Sequence, residues 1–397
     1  MKKIFLFIAF IALLGNIQSF GNPADSIRVS LLTCEPGSEI YSLFGHTALR
    51  YENPAKKQDW VFNYGMFSFR TPNFVLRFIK GETDYQLGVM PFAYFKTEYA
   101  MRGSSVYQQE LNLTTSEKQH LFRLLEENYL PQNRTYRYNY MFDNCTTRAR
   151  DKVEAAINGR IIYPDGDRSK TFRDLIRRFT AGHAWSALAI DLCLGAEADE
   201  PIDERKQMFA PFCMLDFARG AMIHRADTIV PLVKSESKVV DVPEKDEDVL
   251  KKDGGVFSFS PQFFALTWWG LTILIMAWSI RRKKICWWWD VILYGAQGLG
   301  GCIIAFLFFF SLHPTVGSNW MLMMLNPLPL FYLPVMVYKA VKGQKDAFHW
   351  VNVGVLTLFI IIMPFIQQKF NVTVLPLALN LLSCSIGHLI IYNRRSK

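Results

Sequence analysis

Cys145 stands in the run Tyr140-Met-Phe-Asp-Asn-Cys-Thr-Thr-Arg-Ala-Arg-Asp151, at the start of a segment that reads as a helix over 144–157. A cysteine in a first helical turn sits where unpaired backbone N–H groups and the helix dipole favour the thiolate, the reactive form. Those N–H groups can also hold the oxyanion that forms when a thiolate attacks a carbonyl. Asn144 and Asp143, just upstream, are candidates for oxyanion or supporting roles, and Arg148 and Arg150 add positive potential. The competing reading makes Cys145 a small buried residue that closes a helix start.

A thiol nucleophile needs a base, and a histidine on a strand edge facing a helix-start cysteine supplies that geometry. Of seven histidines, His46, His120, His183 and His224 precede the apolar last third of the chain. His46, in Ser42-Leu-Phe-Gly-His-Thr-Ala-Leu-Arg50, follows a glycine and opens a strand-like run. Asn63, on the next strand-like run, can accept the second imidazole N–H and fix the tautomer. His183, in Ala181-Gly-His-Ala-Trp185, is a weaker candidate that can equally line a pocket or cap a turn, and His120 falls in a solvated helix. Cys34, Cys145, Cys193 and Cys213 form no CxxC pair and no zinc-spaced cluster, so no structural metal is expected. An oxidising compartment allows a disulfide such as Cys193–Cys213, with connectivity left open. No nucleotide, flavin or metal motif is present, so no cofactor is expected.

These residues must be positioned by short strands and amphipathic helices. Ser26 to Leu32, His46 to Tyr51, Trp60 to Tyr64 and Val106 to Leu113 have the β-rich composition of strands. Lys118 to Tyr129 carries Leu121, Leu124 and Leu125 at helical spacing, with Thr115 or Ser116 as its cap. The 397-residue chain is 50% hydrophobic, 15% aromatic and carries a net charge of +9. Such apolar content excludes a disordered, collagen-like or disulfide-stapled protein.

The charge is explained by topology rather than by nucleic acid, which is not an expected partner. Met1-Lys-Lys and the apolar run Ile4 to Leu14 read as a secretory signal over residues 1–21. Apolar stretches follow at 263–280, 290–311, 321–341, 348–366 and 372–392, each near the roughly 20 residues a spanning helix requires. Arg281-Arg-Lys-Lys284, then Lys339, Lys342 and Lys345, then Arg394, Arg395 and Lys397 mark alternate junctions, whereas the other links hold a single Lys. The positive-inside rule then puts the C-terminus in the cytoplasm and a large N-terminal domain outside. The expected plan is a signal at 1–21, a periplasmic catalytic domain at 22–225, a charged linker at 226–261, a five-helix transmembrane domain at 262–393, and a cytoplasmic tail at 394–397. Trp268-Trp269 and Trp287-Trp288-Trp289 read as interfacial anchors. His313-Pro314 and Asn319 fall on an outer-face link, where they either line a lipid-access groove or form an ordinary interfacial loop.

Several runs resemble a known family. Leu31-Leu-Thr-Cys-Glu-Pro-Gly-Ser, Ser42-Leu-Phe-Gly-His-Thr, Phe62-Asn-Tyr-Gly, Asp143-Asn-Cys-Thr-Thr-Arg and Asp191-Leu-Cys-Leu-Gly-Ala-Glu-Ala-Asp are similar to the periplasmic domain of the Lnb-type lipoprotein N-acyltransferases of Bacteroides and relatives. His313-Pro-Thr-Val and Asn326-Pro-Leu-Pro-Leu resemble that family's membrane part. The order of His before Asn-Cys also resembles the circularly permuted papain-like fold, as in the lecithin:retinol acyltransferase group. The resemblance implies an α+β exported domain of that fold and an all-α membrane domain. It also implies Cys145 as nucleophile, His46 as base, a phospholipid acyl donor and a lipoprotein acceptor, all at the bilayer of the inner membrane. In the lecithin:retinol group the third residue is often a His; no His follows His46 within the next seventy residues, so Asn63 is the candidate. Two other classes stay open: a papain-like thiol amidase or peptidase on peptidoglycan or envelope protein, and a non-catalytic envelope assembly module.

Overall fold

The computed structural model describes residues 26–37, 39–243 and 259–395; the expected signal at 1–21 lies outside them. The exported part is built on a seven-stranded, wholly antiparallel sheet. Its elements run β1 (Arg28–Cys34), β2 (His46–Asn53), β3 (Gln58–Met66), α1 (Phe74–Lys80), β4 (Asp84–Pro91), α2 (Phe92–Arg102), β5 (Val106–Leu111), α3 (Thr115–Tyr129), β6 (Thr135–Arg137) and α4 (Cys145–Ala156). There follow β7 (Arg160–Ile162), α5 (Phe172–Phe179), α6 (Ala184–Cys193), α7 (Glu204–Gln207), α8 (Pro211–Gly220), β8 (Met222–His224), β9 (Ile229–Pro231) and β10 (Val233–Val240). The large sheet has the order β10-β5-β1-β2-β3-β4-β6, and β7-β8-β9 form a small second sheet.

Alternation along the strands divides two cores. Leu49, Tyr51, Phe62 and Tyr64 pack with Leu121, Leu125, Ala149 and Val153 of α3 and α4 on one face. Ala48 and Val61 pack with Phe92, Phe95 and Tyr99 of α2 on the other. The cap of α3 is Thr114, one residue before the expected pair: its hydroxyl accepts from Glu117 N, and the Glu117 carboxylate accepts from Thr114 N at 2.8 Å.

The exported domain extends beyond residue 225. The segment expected as a linker contains β9 and β10, and β10 pairs along β5 as an edge strand. Its run Val-Lys-Ser-Glu-Ser-Lys-Val-Val is polar because most of its side chains face water, while its backbone is held by the sheet. Charge composition alone reports the side chains and misses that backbone pairing.

The membrane part comprises α9 (Pro261–Arg282), α10 (Trp287–Phe310), α11 (Leu328–Lys342), α12 (Phe348–Ile362) and α13 (Val374–Arg395). Four stretches are long and apolar enough to cross a bilayer: Pro261–Arg282, Trp287–Phe310, Trp320–Lys342 and Val374–Arg395. The remaining apolar helix, α12, has 15 residues and at 1.5 Å per residue covers about 22 Å, short of the roughly 30 Å hydrocarbon core. The five expected apolar segments are thus five helices, four of them in stretches long enough to span by length and composition, with α12 shorter. Two of the expected interfacial tryptophans face other helices instead. Trp269 donates to Ser383 Oγ at 3.0 Å, and the buried Trp289 donates to Thr272 Oγ1 at 3.1 Å.

The two parts are joined by a polar hub centred on Arg173 of α5, which is 0% exposed. Its guanidinium donates to both Asp199 oxygens at 2.9 and 3.0 Å, to Asp191 Oδ1 at 2.6 Å, and to the carbonyls of Asp191, Leu194 and Gly195. That cage shapes the 191–199 turn so that Gly195 N donates to Thr315 O at 2.7 Å, and Ala196 N to Ser318 O at 3.1 Å. A side chain at Gly195 would meet Thr315 O at 2.6 Å, so the close approach requires glycine. Lys369 N, on the other outer-face link, donates to Asp199 Oδ2 at 3.0 Å.

Removing one member of a buried ion network leaves the other charges unpaired, at about 3–5 kcal/mol. Arg173→Met is therefore expected to lower the melting temperature of the full chain in detergent and to expose residues 194–199 to protease. A melting curve and digestion pattern unchanged from wild type would refute the hub's role.

Candidate active site

The site forms where β2 and β3 part. Their pairing runs from Asn53–Gln58 to Leu49–Phe62 and stops there, and the β3–β4 register shifts between Asn63 and Met66. Into this opening the start of α4 inserts. The Asn144 carboxamide caps the helix, its oxygen accepting from Thr146 N at 2.8 Å and Thr147 N at 2.9 Å. Its nitrogen donates to Tyr140 O at 2.8 Å and Phe209 O at 2.9 Å. Thr146 Oγ1 donates to Thr47 Oγ1 at 3.1 Å, tying the helix to the residue after His46. Gly65, at φ 89°, takes a left-handed backbone conformation that favours glycine and lies beside Cys145.

His46 and Asn63 share a sheet face, and His46 Nε2 lies 2.5 Å from Asn63 Oδ1. A carboxamide oxygen only accepts, so Nε2 carries the proton and Nδ1 is left to exchange one with the thiol. His46 and Cys145 also act on each other's charge. Burial opposes both charges, yet other contacts outweigh it. The charge and hydrogen bond of His46, with the Thr47 amide and the Thr146 hydroxyl, lower the Cys145 thiol to about 7. Burial likewise disfavours the His46 imidazolium, but the Cys145 charge and hydrogen bond, with Asn63, raise it above the usual histidine range. The pair therefore favours thiolate and imidazolium near neutral pH. Cys34, paired with His46 across β1 and β2, is fully buried, and burial pushes its thiol far up. All seven cysteines are free, so the Cys193–Cys213 bridge is absent.

The structure thus brings together Cys145, His46 and Asn63, with Asn144 as the cap. Asn144 has both ends of its carboxamide occupied, so it caps the helix and positions the thiol. Asp143 binds Arg148 in a two-pronged pair at 2.6 and 2.8 Å, and that guanidinium lies 3.6 Å over the Tyr136 ring. Asp143 and Arg148 therefore neutralise one another instead of charging the site. Arg150 binds Asp151 and the Arg205 carbonyl.

Three weaker candidates lie elsewhere. His183 is exposed at the start of α6 without a side-chain cap bond. His313 Nε2 is 2.6 Å from Phe78 O, fastening α1 to the outer-face link. Asn319 is buried in the hub: it donates to Leu192 O at 2.7 Å and accepts from Gln368 at 3.0 Å. Both His313 and Asn319 make bonds that join the periplasmic domain to the membrane part. Sequence reasoning missed Thr47, Thr146, Arg173 and Gln368; the only signal was the Asp191–Asp199 run, whose two aspartates clamp Arg173. It also missed Asp290, Cys384 and His388, which place potential ligand atoms within 4.8 Å of one another between α10 and α13. There Asp290 Oδ1 is 2.9 Å from His388 Nε2 and accepts from Cys384, so these groups bond one another.

Residues 21–178 match the family described as the Lnb N-terminal periplasmic domain, and residues 252–396 match the Lnb transmembrane domain. The chain belongs to the Lnb family. No curated protein and no solved structure matches it. As an Lnb protein it is an inner-membrane protein with a periplasmic N-terminal domain, and that matched domain contains His46, Asn63 and Cys145.

Iodoacetamide alkylation of Cys145, followed by mass spectrometry, is expected to reach half its maximal rate near pH 7. Because His46 supplies the largest stabilisation of the thiolate, His46→Ala should move that midpoint upward. A wild-type midpoint at about 8.5, the ordinary cysteine value, would contradict the pairing.

Proposed function

We propose that the chain is a membrane-bound lipoprotein N-acyltransferase that works through a Cys145 thioester. The observation that carries the reading is the Cys145–His46–Asn63 constellation in a domain hydrogen-bonded to the outer-face links of membrane helices. A water-soluble acyl donor would not require that docking; a phospholipid in the outer leaflet of the inner membrane would. The order of His before Asn-Cys supports a circularly permuted papain-like domain. Basic residues at the ends of α9, α11 and α13 support a multi-pass topology with a cytoplasmic C-terminus.

In the first half-reaction the Cys145 thiolate adds to the ester carbonyl of a phospholipid. The oxyanion is held by the Cys145 N–H, and as the C–O bond breaks the His46 imidazolium protonates the departing lysophospholipid alkoxide. In the second, the neutral α-amino group of a lipoprotein's lipid-modified N-terminal cysteine adds to the thioester. His46, now neutral, takes the amine proton, and the C–S bond breaks to return the thiolate–imidazolium pair and leave an N-acyl amide. Asn63 keeps the imidazole oriented through both steps. The chemistry needs no cofactor.

The full chain in vesicles containing a phospholipid with a tagged acyl group is expected to yield a hydroxylamine-labile adduct on Cys145. Cys145→Ala should abolish it, and His46→Ala should slow it by at least about 100-fold. Adding a lipopeptide with a free α-amino group should discharge the adduct to an N-acyl amide. Discharge only to water would support a hydrolase instead, and a folded protein without adduct would refute the lipid-donor reading.

A further inference from the structure

A file of aromatic side chains leads away from the thiol toward the membrane. It begins at Met66, next to Gly65, and continues through Phe67, which stacks on Phe74 with ring centroids 5.5 Å apart. Phe69 sits edge-on to both, at 5.0 and 5.1 Å. Phe74 then stacks on Phe78 at 6.2 Å, and Phe78 meets the His313 ring at 5.7 Å. Tyr41, from the turn before His46, faces Phe67 and Phe69 from the opposite side at 5.9 and 6.2 Å.

Much of this surface is open. Phe69 is 65% exposed, Val75 67% and Phe78 45%, and Tyr41, Met66 and Leu76 are also exposed. A contiguous exposed apolar surface of this kind marks a ligand, membrane or protein contact. Its lower end is fixed to the membrane part: Leu312 N donates to Lys80 O at 2.8 Å, and Ser311 Oγ to Ile79 O at 2.8 Å. Beside it stand Phe309 and Phe310, at the end of the candidate span α10, and Leu312 just after it, all exposed. Arg70 and Lys80 flank the file without an ion pair among the described residues, cations with which a lipid phosphate can pair.

We propose that this file is the track for the donor's acyl chain, guiding it from the outer leaflet beside α10 to Cys145. The proposal rests on the lipid-donor reading above. An acyl chain suits the track because it offers methylenes throughout and demands no hydrogen bond along the way, whereas a peptide would bring backbone groups needing partners. Phe69 and Phe78 are then chain-binding residues that set a preference for long acyl groups. They contact the donor, not the reacting thiol.

The test uses the full chain in phospholipid vesicles. A phospholipid with a diazirine in its acyl chain, irradiated with the Cys145→Ala protein, is expected to label residues 66–80. In Phe69→Ala/Phe78→Ala, two exposed positions, the ratio of Cys145 acylation by the long-chain phospholipid to that by a short-chain soluble thioester should fall at least tenfold. Labelling confined to α9–α13, or a ratio equal to wild type, would overturn the track. A wild-type thiol acylated by the soluble thioester but never by bilayer phospholipid would instead refute the lipid-donor reading, and the track with it.

Discussion

The carboxamide of Asn144 holds together the part of the molecule that can do chemistry. Its four hydrogen bonds cap α4, fasten the preceding turn, and bind the Phe209 carbonyl from a distant loop. With that side chain saturated, the helix start has one position, and Cys145 follows it directly. The opening between β2 and β3 would otherwise expose strand edges; filled by α4, it places a thiol against an imidazole from the sheet. Burial alone would have made Cys145 as unreactive as Cys34. What separates the two thiols is that only Cys145 gathers the His46 charge, the Thr47 amide and the Thr146 hydroxyl.

A second constraint acts at the membrane surface. Arg173 draws Asp191, Asp199 and three carbonyls into one cage, and the turn so formed bonds to residues 315, 318 and 369. His313 and Ser311 fasten α1 at a separate point. Two attachments fix the orientation of a domain far better than one. The thiol is thereby held at a set position relative to the outer ends of the helices, and the aromatic file lies beside one of the attachments.

Much of this was legible in the chain. Cys145, His46 and Asn63 each stood in a local pattern, a helix start, a glycine-led strand and the strand after it, and each pattern survives in the fold. Arg148 and Arg150 were read as adding positive potential, whereas the structure pairs each with an acid, Asp143 and Asp151. His313 and Asn319 were placed correctly at the outer face, but polarity in a loop does not distinguish a groove from a joint. Arg173 carried no signal of its own: a buried arginine is recognised only through acids that are 18 and 26 residues away. The strand β10 was hidden because an edge strand advertises its solvent face.

The place of β10 in the sheet also orders the events of synthesis. The sheet is complete once residue 240 has crossed the membrane, ahead of all the membrane helices in the order of export, so the thiol and its base can assemble while the last helices are still being translated. The bonds from Gly195, Ala196 and Asp199 to residues 315, 318 and 369 must wait for the later helices. A nascent chain therefore carries a formed but untethered thiol domain first and gains its fixed height above the bilayer last.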